Sequence, residues 1–176
     1  LDSVIFPLIS RETFLQEGWH YELESPDAPL IYKGVVFNEM KGAYSSPDTV
    51  FRVTAQSSLF PDTTYGLSSG GDPRVMPDLT YEQFKAFHER YYHPSNAQII
   101  FYGDDDPARR LEILDAALSR FERTERAPVV PLQKRFDKPV RVEASYPADE
   151  DNPRNAFVSV NWLLDPTDDI EENLAR

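Results

Sequence analysis

The sequence predicts an α+β fold, because long segments with helical periodicity alternate with short apolar runs of strand length. Two helices carry the prediction. Over residues 30–44, Ile31, Val35, Glu39 and Gly42 fall at i, i+4, i+8 and i+11, flanked by Val36 and Ala43. Over residues 80–91, Thr80 opens a capping box with Gln83, and Tyr81, Phe84, Phe87 and Tyr91 form an aromatic stripe read as buried. The apolar run 97–102 then fits a central strand.

The remaining elements follow in order. Val4, Ile5, Leu8 and Ile9 have helical spacing over residues 1–10, with Pro7 as a local irregularity. Residues 14–23 alternate loosely, with Trp19, Tyr21 and Leu23 on one face and His20, Glu22 and Glu24 on the other. That pattern predicts a half-buried strand with His20 exposed. Ser25-Pro26-Asp27-Ala28-Pro29 is a turn before the Glu39 helix. Ser46-Pro47 marks an N-cap and a first helical position, so the helix breaks there and restarts, running to Leu59. Residues 60–78, rich in Pro, Gly, Ser, Thr and Asp, are loop. Asp104-Asp105-Asp106-Pro107 caps a helix bearing Leu111, Leu114, Leu118 and Phe121 on one face. Residues 123–139 are charged, Pro-bearing and without period, a linker. Residues 140–146 and 156–164 are strand-like, and residues 165–176 begin a helix.

Composition excludes several functions. The chain of 176 residues is 40% hydrophobic and 12% aromatic, enough for a real core. No run approaches the roughly 18 apolar residues of a membrane span, so no membrane partner is expected. Leu1 is not a natural start, and targeting information is expected to have been removed. Absence of Cys excludes disulfides and thiolate metal sites. Thirty acidic against eighteen basic residues leave a net charge of -12, which argues against nucleic acid and makes a basic peptide the better partner. Acidity kept for solubility alone is the alternative.

Glu39 is the candidate functional residue. A carboxylate in the middle of an apolar stripe costs several kcal/mol unless it is neutralised, paired or bound to metal. Pairing with a distant Arg or Lys, or a helix rotated to bring Glu39 to the boundary, would satisfy it equally well.

The run Gly34-Val35-Val36-Phe37-Asn38-Glu39-Met40-Lys41-Gly42-Ala43 has Gln16-Glu17-Gly18-Trp19 before it, and Ser69-Gly70-Gly71-Asp72-Pro73 and Tyr92-His93-Pro94-Ser95-Asn96-Ala97 after it. Together these blocks resemble the presequence protease branch of the pitrilysin and insulysin zinc peptidases, the inverzincins. The resemblance implies helices packed on one face of a mostly antiparallel sheet, and it implies that Glu39 is the third zinc ligand. It also implies an H-x-x-E-H helix supplying two His ligands and the general base, and that helix is not in this sequence. No catalytic residue is therefore assigned here, and substrate-binding residues are left unassigned. Tyr32 stands where some branches carry a second acidic residue, so none is carried over.

By this resemblance, residues 1–122 are the C-terminal part of a first, catalytic unit, 123–139 the linker, and 140–176 the opening of a second similar unit. The expected function is that of a piece of a zinc metalloendopeptidase degrading short unstructured peptides such as cleaved presequences. Such a piece should be inactive alone, free of zinc, with Glu39 partly exposed, and prone to self-association through uncovered strand edges. Its partners would be peptide substrates and the rest of its own chain. Localisation would be cytoplasmic in a bacterium, or the mitochondrial or plastid matrix in a eukaryote. The alternative is a non-catalytic binding or assembly subunit of the same fold.

Three motifs imitate other sites. His88 and His93 stand at i, i+5, about 140 degrees apart around a helix, whereas a zinc pair needs i, i+4. His93 is instead expected to bond a terminal carbonyl. Gly66-Leu67-Ser68-Ser69-Gly70 fits the G-x-S-x-G elbow of serine hydrolases, yet has neither a strand before it nor a helix after it, and reads as a Gly-rich loop. The triple Asp at 104–106 is read as a solvated cap rather than a cation site.

Overall fold

The computed structural model describes residues 2–125, 129–147 and 156–175. In chain order these form α1 (Asp2–Ile5), α2 (Arg11–Glu17), β1 (His20–Glu22), β2 (Ile31–Lys33), α3 (Val35–Ala43), α4 (Pro47–Leu59), α5 (Tyr81–Tyr91), α6 (Pro107–Leu118) and α7 (Ile170–Ala175). Short 3-10 turns cover Thr64–Gly66, Met76–Asp78 and Pro94–Asn96. Among the described residues the only sheet is the antiparallel pair β1 and β2, in the register His20 to Lys33, Tyr21 to Tyr32 and Glu22 to Ile31. The α+β expectation therefore holds in its coarse form: helices dominate and a small antiparallel sheet accompanies them.

The chain divides into two compact units, one of Leu1–Asn38 with Pro73–Val129 and one of Glu39–Asp72 with Val130–Arg176. In the first unit α2 begins where Ser10 caps it, its hydroxyl accepting from Thr13 N–H at 3.1 Å. This helix turns Phe14 inward, where it is 6% exposed and tilts against the rings of Tyr81 and Phe84 at 6.0 and 5.5 Å. The α5 capping box forms as expected: Gln83 N–H donates to the Thr80 hydroxyl, and Thr80 N–H donates to the Gln83 side chain. Three side-chain bonds to backbone carbonyls bind the segments: Tyr81 OH to Ile9 O and His88 Nε2–H to Val4 O, both 2.8 Å, and Trp19 Nε1–H to Leu79 O at 2.9 Å. Phe6, Phe121 and His93 add a second ring cluster, with centroids 5.3 and 5.4 Å apart.

The second unit is held by Phe157, whose ring stacks on Phe51 at 5.1 Å and meets Tyr146 edge-on at 5.8 Å. Helix α4 starts at Pro47 after Ser46, as expected, although the Ser46 hydroxyl makes no capping bond. Gln56 Nε2–H reaches the carbonyl of Tyr65 at 2.6 Å and closes the first 3-10 turn onto α4. Gln133 fixes the next stretch through two bonds, accepting from Asp62 N–H and donating to its carboxylate.

Several expectations are corrected. Residues 11–17 are helix, not strand, because the Ser10 cap and the inward Phe14 favour the helical period over the loose alternation. The faces of β1 are reversed: His20 and Glu22 are half-buried while Tyr21 and Leu23 are exposed. His20 is held down by its Nδ1–H donating to Leu15 O at 2.8 Å, and Glu22 by Lys33 at 2.6 Å. The Glu39 helix begins at Val35 rather than residue 30, since Ile31–Lys33 pairs with β1 and Gly34 intervenes at φ 152. The α5 stripe is only half-covered, with Phe84 and Phe87 exposed, as is Leu111 on α6.

Residues 97–102, 140–146 and 156–164 are not strands. A strand exists only when a neighbour takes up its N–H and C=O groups, and no described segment pairs with these. Of the expected polar loop before residue 156 and the expected linker, residues 148–155 and 126–128 lie outside the described residues.

Candidate functional site

Helix α3 is mounted at its N-terminus by a close backbone crossing. The Gly18 carbonyl that ends α2 accepts Phe37 N–H at 3.3 Å, satisfying one of the amides every helix start leaves orphaned. Asn38 N–H closes the first turn on Gly34 O at 2.9 Å. A Cβ on Gly34 would stand 2.2 Å from Gly18 O and 2.8 Å from Trp19 Cα, so only glycine permits the approach.

The faces of the helix differ in exposure. Phe37 points inward, 6% exposed, with its ring 5.9 Å from Tyr32. Met40, one turn on, is half-buried, and its thioether lies where a Cβ on Gly70 would stand at 2.6 Å. The opposite face carries Val35, Glu39 and Gly42, and it is open: Val35 is 52% exposed, Glu39 is exposed, and a Cβ on Gly42 would touch nothing within 4 Å. The stripe expected around Glu39 is thus present as a row on α3 but is not buried. Its carboxylate makes no ion pair or hydrogen bond with a described residue.

No group of three or more His, Cys, Asp or Glu that could hold a metal ion occurs among the described residues. Glu39 alone fits one coordination position of a zinc ion and not a whole site, which takes three or four protein ligands. The three histidines are engaged elsewhere. His20 and His88 donate to backbone carbonyls, and His93 Nδ1 accepts from Ser95 N–H at 3.1 Å. His93 was expected to serve a carbonyl; it caps the following 3-10 turn instead, because its Nδ1 accepts the Ser95 N–H that the turn's own start leaves without a partner.

The other two stretches make local contacts. Ser68 sits in a turn closed by Gly71 N–H to Ser68 O, with Gly71 at φ 89 and no helix directly after. Asp106 caps α6 by accepting from Ala108 N–H at 2.9 Å, and Asp105 pairs with Arg110. That pairing holds the Asp105 carboxyl below, and the Arg110 guanidinium above, their ordinary pKa values.

Sequence reasoning missed the aromatic group beside α3. Trp19, Tyr21, Tyr32 and Phe37 form a chain of rings with centroids 5.1 to 5.9 Å apart. The β1 to β2 register assembles it. The signal available in the sequence was the pair of three-residue alternations around the turn at 25–29, which the longer helical reading of residues 30–44 obscured.

Known proteins match this chain over nearly its whole length. The family described as Peptidase M16 inactive domain matches residues 78–176. The chain is 52% identical over 170 residues, 93% of its length, to presequence protease 1, chloroplastic/mitochondrial, of Arabidopsis thaliana. It is 44% identical over 97% of its length to the mitochondrial presequence protease of Mus musculus, and 43% identical over 99% to protein HypA of Clostridium perfringens. The chain spans only 16 to 18% of the length of these relatives.

Proposed function

The chain belongs to the peptidase M16 family, in its presequence protease branch, and from that premise we propose that it is part of a zinc metalloendopeptidase in which Glu39 supplies one metal ligand. The observation that carries the proposal is the open face of α3, where the Glu39 carboxylate stands without a described partner. When bound, zinc would lower the pKa of a coordinated water to about 7. The chain's own part is to hold one coordination position at a set orientation. The two other ligands and the general base would come from an H-x-x-E-H helix elsewhere in the longer protein.

The substrates proposed are short unstructured peptides, cleaved presequences among them, since presequence proteases are the relatives. The 176 residues alone would not cleave, because one carboxylate makes no catalyst. Residues 1–122 would close the catalytic unit and residues 140–176 open a second one across the linker 123–139. Localisation would be the mitochondrial or plastid matrix in a eukaryote, as the names of the plant and mouse relatives indicate for those proteins, and the cytoplasm in a bacterium. Among the described residues no helix is long and apolar enough to cross a membrane.

In the longer protein, Glu39→Gln should remove most bound zinc and most peptide cleavage together. Unchanged activity in that variant would overturn the assignment. One observation favours a second reading, a non-catalytic binding or assembly subunit: the family description matching residues 78–176 is that of an inactive domain. An intact H-x-x-E-H in the longer protein selects the enzyme, and a degenerate one selects the subunit.

A further inference from the structure

Tyr21 and Tyr32 are direct cross-strand partners in the β1 to β2 ribbon, with ring centroids 5.1 Å apart and planes inclined by 33°. Both rings open to solvent, 57% and 41% exposed. Beside this pair Lys33 crosses the ribbon diagonally, bonding Glu22 at 2.6 Å and approaching Glu24 at 3.1 Å. Of the nine tyrosines, no other two meet ring to ring among the described residues. Hydrogen bonding to Tyr21 raises the pKa of the Tyr32 phenol. The chain has no Cys, so no thiol of its own intercepts an oxidant first.

From this geometry we propose that Tyr21 and Tyr32 are a modification site, joined as an intrachain dityrosine by one-electron oxidants of the peroxide and peroxidase class. Each phenol gives up one electron and one proton and becomes a phenoxyl radical. The two radicals combine at ring carbons ortho to the oxygens, forming one C–C bond, and the hydrogens on those carbons move to the oxygens as both rings regain aromaticity. In sum two electrons and two protons leave the pair, and hydrogen peroxide takes them up to give two molecules of water.

Directly opposed residues of an antiparallel pair hold their Cβ atoms about 4.5 to 5.5 Å apart, so side-chain rotation closes the bond while the strands stay paired. Exposure of both rings leaves room for that rotation. The link would staple β1 to β2 directly before Gly34 and α3, fixing the ribbon on which α3 is mounted. Trp19 stands edge-on to both rings, at 5.5 and 5.8 Å, and is the competing electron donor. The product must therefore be identified by mass as well as by its blue fluorescence.

The test treats the 176-residue chain, dilute enough to disfavour links between molecules, with hydrogen peroxide and a haem peroxidase. Expected is a monomeric product lighter by two hydrogens, fluorescent as dityrosine, whose digest yields one cross-linked peptide pair containing Tyr21 and Tyr32. Tyr21→Phe and Tyr32→Phe, each checked for an unchanged circular dichroism spectrum, should lose that product, and Tyr65→Phe should keep it. A cross-link that maps to other tyrosines, one found only between molecules, oxidation confined to Trp19, or an intrachain product surviving Tyr21→Phe would each overturn the proposal.

Discussion

Gly34 lies so close under Gly18 that a Cβ on the former would stand 2.2 Å from the carbonyl oxygen of the latter, the same oxygen that receives Phe37 N–H. One contact thus joins the end of α2 to the start of α3. Gly34 also sits at φ 152, a region that L side chains rarely adopt. Gly34→Ala should therefore cost roughly 2 kcal/mol or more, from backbone strain plus displacement of a main-chain atom that has no freedom to yield. Urea denaturation should show the loss as a lowered midpoint.

Thr80→Ala removes one half of a reciprocal cap in which both side chains satisfy backbone amides. The expected loss is about 1 kcal/mol, read as a lower urea midpoint with the slope unchanged. Thr80→Ser should recover most of it, because the hydroxyl acceptor is kept.

The β1 to β2 ribbon should be sensitive to pH from both sides. Bonding to Lys33, followed by the weaker help of His20, lowers the Glu22 pKa; bonding to Glu22 and then Glu24 raises that of Lys33. The lowered carboxyl contributes stability above its unfolded value of about 4.3 and loses it as pH falls through the folded one. The raised ammonium contributes fully below about 10.4 and loses it as pH rises through its folded value. Both partners are more than a third exposed or close to it, so the effect is small and screened by salt. Tyr32 NMR shifts followed against pH should change as Glu22 is protonated, and Glu22→Gln should abolish that acid-side change.

Glu39→Gln should leave the stability of the 176-residue chain within about 0.5 kcal/mol of wild type, since the side chain is exposed and no described residue pairs with it. A larger loss in urea denaturation would mean that the carboxylate has a structural partner. This outcome separates a folding defect from the loss of zinc expected in the longer protein.

Self-association should rise with concentration. Ile100 is 88% and Val158 89% exposed, and Trp162 is 74% exposed, all in stretches without regular structure and with no paired neighbour among the described residues. Such edges recruit other strands. Light scattering over a dilution series should show mass falling with dilution, and a constant monomer mass would count against it.

Much of this molecule follows from local chemistry and was legible residue by residue. Thr80 with Gln83, Ser46-Pro47 and Asp106-Pro107 mark helix starts because caps act within one turn of chain. Glu39 stood out because a carboxylate among apolar residues at helical spacing demands a reason. The three imitators could be set aside on spacing and flanking residues alone.

What only the tertiary structure decided is what depends on a second segment. Ile31 has helical spacing with α3, yet residues 31–33 pair with β1, since a ladder partner at 20–22 outweighs a periodic pattern one turn long. The faces of β1 reversed because Lys33, across the ribbon, draws Glu22 inward and leaves Tyr21 outside. Residues 97–102 have the composition of a strand but no described partner, and a strand without a partner is only an extended chain. The seating of the first turn of α3 is set by Gly18, a residue distant along the chain that meets it through a backbone approach only glycine at position 34 allows.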